Sequence, residues 1–179
     1  METGIGISSG ELVTRGTIWI TIAAYTLGCV AFATARRQPG GDRWVRLAWT
    51  IGCVALVAHY LVAFNFYHAW SHASAYSETA RQTAEVFRIN WGGGLFINYG
   101  LAGVWAADVA WWWSAGLDAY RRRPWWITLA WHGFLLFIIF NATVVFKTGF
   151  TRWIGLLVCL TLCLSWISIS RQRRSLSTA

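Results

Sequence analysis

The chain has 179 residues, of which 56% are hydrophobic and only 12% are charged, values outside the range of soluble globular proteins. The formal net charge of +8 comes mainly from three short arginine-rich segments beside apolar stretches, and this placement argues against nucleic-acid binding. We therefore expect one integral membrane domain over residues 1–179 that contacts the lipid bilayer.

Five apolar stretches follow one another along the chain, near residues 17–35, 45–67, 95–116, 125–146 and 151–170. Each has about the 20 residues that a helix needs to cross the hydrocarbon core. Since a helix satisfies its own backbone hydrogen bonds in lipid, the pattern predicts an all-α polytopic bundle of five transmembrane spans.

The basic residues predict the orientation of these spans. Ten of the 15 lie in the segments 36–46, 121–123 and 171–174, whereas the other five are nearly balanced by glutamates. Under the positive-inside rule the three arginine-rich segments are cytoplasmic, so the N-terminus is outside and the C-terminus inside. The expected location is the cytoplasmic membrane of a bacterium, as a multi-pass protein.

The second span is followed by a polar segment, residues 68–90, that ends at three consecutive glycines. Apolar residues recur in it at helical spacing, which predicts an external amphipathic helix or an extension of the second span. No Gly or Pro lies between Ala55 and Asn90, so the sequence favours an unbroken helix through Ser71.

On such a continuous helix one polar stripe carries five residues within about 60° of one another. These are Asn65, His68, His72, Thr79 and Thr83. His68 and His72 are one turn apart, a spacing that allows two imidazoles to bind one metal ion, and Glu78 is the nearest third ligand. The alternatives are an interfacial anchor bonded to lipid and water, or a polar ligand or proton path.

The third span contains Asp108, the one acidic residue inside a predicted span. An unpaired carboxylate in hydrocarbon costs several kcal/mol, so it needs a partner. Asp108 and His132 are each twelve residues from Tyr120, the centre of the third loop, which puts them at one depth in an antiparallel hairpin. The sequence therefore predicts an Asp108–His132 pair, either as interhelical glue or as a proton relay.

Two histidines in different spans, His59 and His132, raise the alternative of a haem held between helices. Their predicted depths differ by about 8 Å, which is awkward for two ligands of one iron. Metal ion and haem are thus the two cofactors that the sequence brings into consideration.

The chain has no phosphate loop, dinucleotide fingerprint or nucleophile elbow that would indicate a reaction. Three functional hypotheses therefore stay open. The first is a non-enzymatic membrane protein, self-associating or a subunit of a membrane complex, with a polar histidine-containing pocket on the outer side. The second is a membrane oxidoreductase or cofactor-binding subunit with histidine ligands. The third is a small proton-coupled transporter built around Asp108.

Overall fold

The computed structural model describes residues 8–34 and 41–177, with the backbone alone at 41, 42, 117, 118, 121 and 170–177. Within these ranges the secondary structure is entirely helical, which confirms the all-α fold class. The elements are α1 (Ser9–Thr34), α2 (Gly41–Tyr67), α3 (His72–Phe87), α4 (Gly94–Arg121), α5 (Trp125–Phe140), a π-helix (Asn141–Val145) and α6 (Gly149–Ser177).

Four segments are long and apolar enough to cross a membrane: Ser9–Thr34, Arg43–Tyr67, Trp125–Val145 and Gly149–Ile169. They indicate a multi-pass membrane protein and correspond to four of the predicted spans. The fifth predicted span lies in α4, which has sufficient length but less apolar character. Its tryptophans and tyrosines are amphipathic, and it contains Asp108.

The helices other than α3 pack in a ring. α1 packs against α2 and α6, α2 against α4, and α5 against α6. Trp105 of α4 meets Trp131 of α5 edge to face, with ring centroids 6.4 Å apart, and so joins the last pair. The centre is aromatic, because Tyr25, Trp49 and Trp105 contact one another with centroids 5.4–5.9 Å apart.

Two helix boundaries have local causes in the sequence. The backbone N–H of Glu11 donates to the side-chain oxygen of Ser8 at 3.2 Å, so α1 starts eight residues before the predicted span. In α4 the helix is interrupted at Gly116, whose φ of 77° belongs to the left-handed region that glycine tolerates. The predicted third span ends at this same residue.

The predicted continuity of the second span through Ser71 is wrong. α2 ends at Tyr67, and Ala69 and Trp70 take left-handed φ values of 46° and 61°. Ser71 then caps a new helix, because its side-chain oxygen accepts the backbone N–H of Ser74 at 3.2 Å. Residues 72–87 therefore form the separate helix α3, which packs against the start of α4.

Candidate functional site

A buried polar cluster lies where α4 turns into α5, and Asp108 is at its centre. The Asp108 side chain is only 9% exposed. One carboxylate oxygen accepts hydrogen bonds from the indole N–H of Trp49 and the hydroxyl of Tyr120, both at 2.8 Å. The other accepts Nη1 of Arg123 at 2.6 Å. Three donors from three segments thus satisfy the carboxylate.

Arg123 is as deeply enclosed as its partner, with a side chain 4% exposed. Its Nε donates to the hydroxyl oxygen of Thr128 at 2.8 Å, and its guanidinium lies over the Tyr120 ring, 4.2 Å from the centroid. A buried ion pair offsets its desolvation cost only when further hydrogen bonds complete it. That condition is met here.

The turn between α4 and α5 explains how two residues near the end of the bundle reach Asp108. Gly116 bends the chain, and the backbone N–H of Arg123 donates to the carbonyl of Tyr120 at 3.4 Å. Pro124 follows with φ −53° at the start of α5, a position where its missing N–H costs little. The turn therefore folds Tyr120 and Arg123 back into the bundle.

His132 belongs to the same cluster. Its Nδ1 is 2.9 Å from the hydroxyl of Tyr25 on α1, and its ring meets Trp166 of α6 edge to face at 4.5 Å. Trp49 links His132 to Asp108, because its ring centroid is 5.3 Å from the imidazole while its N–H donates to the carboxylate. The direct Asp108–His132 hydrogen bond stays a prediction; the ionic partner of Asp108 is Arg123.

A partly open cavity of about 60 Å³ adjoins this cluster. Each helix of the ring contributes to its wall, and the turn before α5 contributes Arg123. The lining residues are Gly28, Cys29, Phe32, Val45, Trp49, Trp112, Tyr120, Arg123, Thr128, His132, Trp166 and Ile169.

The position of the cavity differs from the predicted outer pocket. Phe32 is near the end of α1 and Val45 is near the start of α2, so the cavity is at the end of the bundle that carries the arginine-rich segments. His68 and His72 lie beyond the other end of α2. An open groove beside α3 and Asn90 is lined by neither of these histidines.

His59 is bonded at a different level of α1 from His132. Its Nδ1 is 3.0 Å from the carbonyl oxygen of Thr14 and 3.4 Å from the hydroxyl of Thr17. Thr14 precedes Tyr25, the partner of His132, by eleven residues, or about 16 Å of helix. This separation disfavours the hypothesis that His59 and His132 bracket one haem.

The outer polar stripe is divided by the turn between α2 and α3. His72 bonds the hydroxyl of Tyr99 through Nδ1 at 3.0 Å, and Asn65 accepts the indole N–H of Trp70 at 3.4 Å. Thr79 and Thr83 donate to backbone carbonyls of their own helix, each at 2.8 Å. His68 and His72 both contact the ring of Phe64, with centroids 5.6 and 5.3 Å away.

The metal hypothesis for His68, His72 and Glu78 is not supported. Over residues 8–34 and 41–177 no three His, Cys, Asp or Glu side chains form a group that could hold a metal ion. Glu78 instead accepts hydrogen bonds from Arg81 at 2.6 Å and Gln82 at 2.8 Å. These bonds lower the pKa of the Glu78 carboxyl to about 2.

The sequence predictions missed most partners in the cluster. By the positive-inside rule Arg123 is predicted to be an orienting charge of the loop, although a long basic side chain immediately before a proline is also a candidate partner for the buried acid Asp108. The aromatic partners Trp49 and Tyr25 had no such signal, because tryptophan and tyrosine are frequent throughout the spans.

No protein-family model, curated protein or solved structure matches the chain. The geometry of the cluster and of its cavity is therefore the guide to function.

Proposed function

We propose that this is a non-enzymatic membrane protein that binds a small molecule in the cavity beside the Asp108–Arg123 pair. The observation that carries the proposal is the wall of the cavity, to which α1, α2, α4, α5 and α6 all contribute side chains. Ligand sites in proteins are concave, mostly apolar and supplied with a few polar groups, and this cavity has those properties.

In this proposal α4 is the fifth span, and the N-terminus is outside. α4 packs against α2 and contacts α5 through Trp105 and Trp131, so it completes the ring of membrane-crossing helices. The arginine-rich segments then face the cytoplasm, and the cavity is at the cytoplasmic end of the bundle. α3 lies on the outer side.

The ion pair is assigned a structural role in this proposal. The carboxylate of Asp108 is bonded to three donors, and Arg123 is bonded to both Asp108 and Thr128. Such a network fixes two cavity-lining side chains, Tyr120 and Arg123, in place. A proton-coupled carrier built on Asp108 would have to break several of these bonds in each cycle, so the geometry favours ligand binding.

In this proposal the helix bundle is surrounded by the lipid of a bacterial cytoplasmic membrane. Large apolar side chains are exposed along the outside of α1, α2, α5 and α6, among them Leu27, Val54, Phe137 and Leu157. They suit contact with lipid chains, with a second copy or with another membrane subunit, and they offer nothing to nucleic acid.

Cysteine labelling tests the cavity. Cys29 lines it, whereas Cys53, which is also a buried cysteine, does not. In variants that each retain one of these thiols, N-ethylmaleimide applied to native membranes should modify Cys29 faster than Cys53. Both thiols should react alike after unfolding in detergent. If Cys29 is as unreactive as Cys53 in the native protein, the proposed binding cavity does not exist.

A further inference from the structure

The walls of the cavity suit a flat ring. Trp112 and Tyr120 stack in parallel, with centroids 4.2 Å apart and planes 9° apart, and form one aromatic wall. Phe32, Trp49 and Trp166 supply further aromatic surface. Offset stacking and edge contacts with such side chains favour a planar aromatic or quinonoid molecule over a branched aliphatic one.

Two polar side chains of the cavity, Arg123 and Thr128, have donor groups beyond those in their described hydrogen bonds. The bonds of Arg123 to Asp108 and Thr128 use two of the five N–H donors of a guanidinium. Thr128 accepts from Arg123 and keeps its own O–H to donate. The indole N–H of Trp49 and the hydroxyl of Tyr120 are already directed to Asp108. A matching ligand therefore presents acceptor oxygens.

The charge of the cavity is balanced before any ligand enters. Among the described side chains that line it, Arg123 is the charged one, and its partner Asp108 is 2.6 Å away. An anionic ligand would place a second, uncompensated negative charge beside this pair at low dielectric, which is costly. A neutral ligand avoids that cost.

The size of the cavity limits the ligand to about one ring. A buried water needs roughly 10–15 Å³ of cavity volume, so the cavity of about 60 Å³ has room for about four to six waters. In the liquid, four to six waters occupy roughly 120–180 Å³ at roughly 30 Å³ each. This is the volume of a six-membered ring with small substituents.

We propose that the cavity binds a neutral, flat ring bearing carbonyl oxygens, the chemical class of the quinones, drawn from the lipid phase. This inference rests on the proposed function, because it names the ligand class of the same cavity. The carbonyl oxygens would accept from Arg123 and Thr128, and the ring would lie against the aromatic walls.

Protection of Cys29 tests the ligand class in the variant that retains this thiol alone. The probe is ubiquinone-1, whose ring carries no hydrogen, and recovery of the free thiol after its removal shows that it has not reacted with Cys29. The comparison compounds are hexamethylbenzene, which lacks carbonyl oxygens, and 2,3-dimethoxybenzoate, which is anionic. At nine times its dissociation constant, ubiquinone-1 should slow labelling by about tenfold, and the comparison compounds should change it less than about twofold.

The outcomes separate the two proposals. If Cys29 does not react even without a ligand, the proposed function fails. If it reacts and hexamethylbenzene protects it as well as ubiquinone-1, the cavity exists but the carbonyl class is wrong. Protection by 2,3-dimethoxybenzoate alone, or by none of the three compounds, would also overturn the inference and leave the function standing.

Thr128→Val supplies a matched test of the polar contact. Because it removes both the donor to the ligand and the acceptor of Arg123 Nε, it should weaken protection by ubiquinone-1 by roughly fivefold or more. Thr26→Val makes the same chemical change outside the cavity and should leave protection unchanged. The unmodified chain provides a second measurement, because ubiquinone-1 should raise its thermal midpoint in detergent and hexamethylbenzene should not. Equal midpoints with both compounds would contradict the inference.

Discussion

The carboxylate of Asp108 and the guanidinium of Arg123 neutralise each other inside the bundle, so removing either one leaves a buried charge. Breaking a buried pair costs about 3–5 kcal/mol, whereas removing both charges costs far less than the sum of the single changes. We therefore expect Asp108→Ala and Arg123→Ala each to destabilise strongly and the double variant to recover part of the loss. Asp108→Asn should be milder than Asp108→Ala, because its amide oxygen still accepts from Trp49 and Tyr120.

Unfolding in detergent monitored by circular dichroism measures these differences. Arg81→Ala is the control, because Arg81 is 57% exposed and exposed ion pairs such as those with Glu78 and Glu85 contribute little to stability. Additive effects of the two single changes at Asp108 and Arg123 would show that the pair is not coupled.

The sequence predicted that Asp108 needs a buried partner but not which one. The need for a partner follows from the free energy of solvation alone, since an isolated carboxylate in lipid is unfavourable. The choice of Arg123 depends on the bend at Gly116 and the start of α5 at Pro124, which bring a loop residue back into the bundle. The equal distances of Asp108 and His132 from the loop centre assume a straight hairpin, and they cannot predict that Arg123 folds back into the bundle.

At the scale of elements, α3 offers a pH-dependent prediction. Arg81 and Gln82 bond the charged form of Glu78 and lower its pKa from 4.5 to about 2. A lowered pKa in the folded state means that this stabilisation is complete above about pH 4.5 and is lost as the pH falls toward 2. NMR titration of labelled glutamate should show a midpoint well below 4.5 for Glu78.

Arg81→Ala should raise that midpoint, because the largest cause of the shift is the hydrogen bond from Arg81. Arg88→Ala, at the end of the same helix, removes an equal charge that is not bonded to Glu78 and should leave the midpoint nearly unchanged. A midpoint near 4.5 in the unmodified protein would show that the pair does not form.

The contact between the π-helix and α6 depends on the absence of a side chain at Gly155. A Cβ there would overlap the Thr143 side chain, with its Cβ at 2.6 Å and the backbone carbon at 3.1 Å. Small residues allow close helix approach in membranes. Gly155→Ala should therefore destabilise by about 1–3 kcal/mol through overpacking, as measured by detergent unfolding.

Gly133→Ala is the matched control, because a Cβ at this exposed position of α5 meets nothing within 4 Å. It should be neutral or stabilise by up to about 1 kcal/mol, since alanine is the better helix former. Thr143→Ala should relieve part of the Gly155→Ala loss. If Gly155→Ala behaves like Gly133→Ala, the π-helix and α6 are not in close contact at Gly155.

The sequence predicted the elements better than their ends. Apolar length fixed the positions of the helices, but the break after Tyr67 contains neither Gly nor Pro. Ala69 and Trp70 adopt left-handed backbone angles that no propensity favours, and the Ser71 cap alone gave a local sign of a new helix. The loss of the outer polar stripe follows from this one turn.

At the scale of the whole molecule, the cavity is a product of the ring of helices and of the folded-back turn. Each helix contributes a few residues that are unremarkable in isolation, such as Phe32, Trp166 and Ile169. Their convergence depends on which helices are neighbours, and hydropathy does not specify neighbours. Sequence alone therefore predicted a membrane bundle and placed its pocket at the other end.

The proposed position of the cavity in the membrane depends on the five-span topology. Four helices have the length and apolarity of spans, and in the proposed topology α4, which packs against α2, is the fifth. With five spans the termini lie on opposite sides, and the positive-inside rule then predicts a cytoplasmic C-terminus. A phosphatase or fluorescent reporter after Ser170 should report the cytoplasm, and one inserted between Ser77 and Thr83 should report the outside. If both report the same side, α4 does not cross the membrane, and the cavity wall that it supplies through Trp112 and Tyr120 would have to be reconsidered.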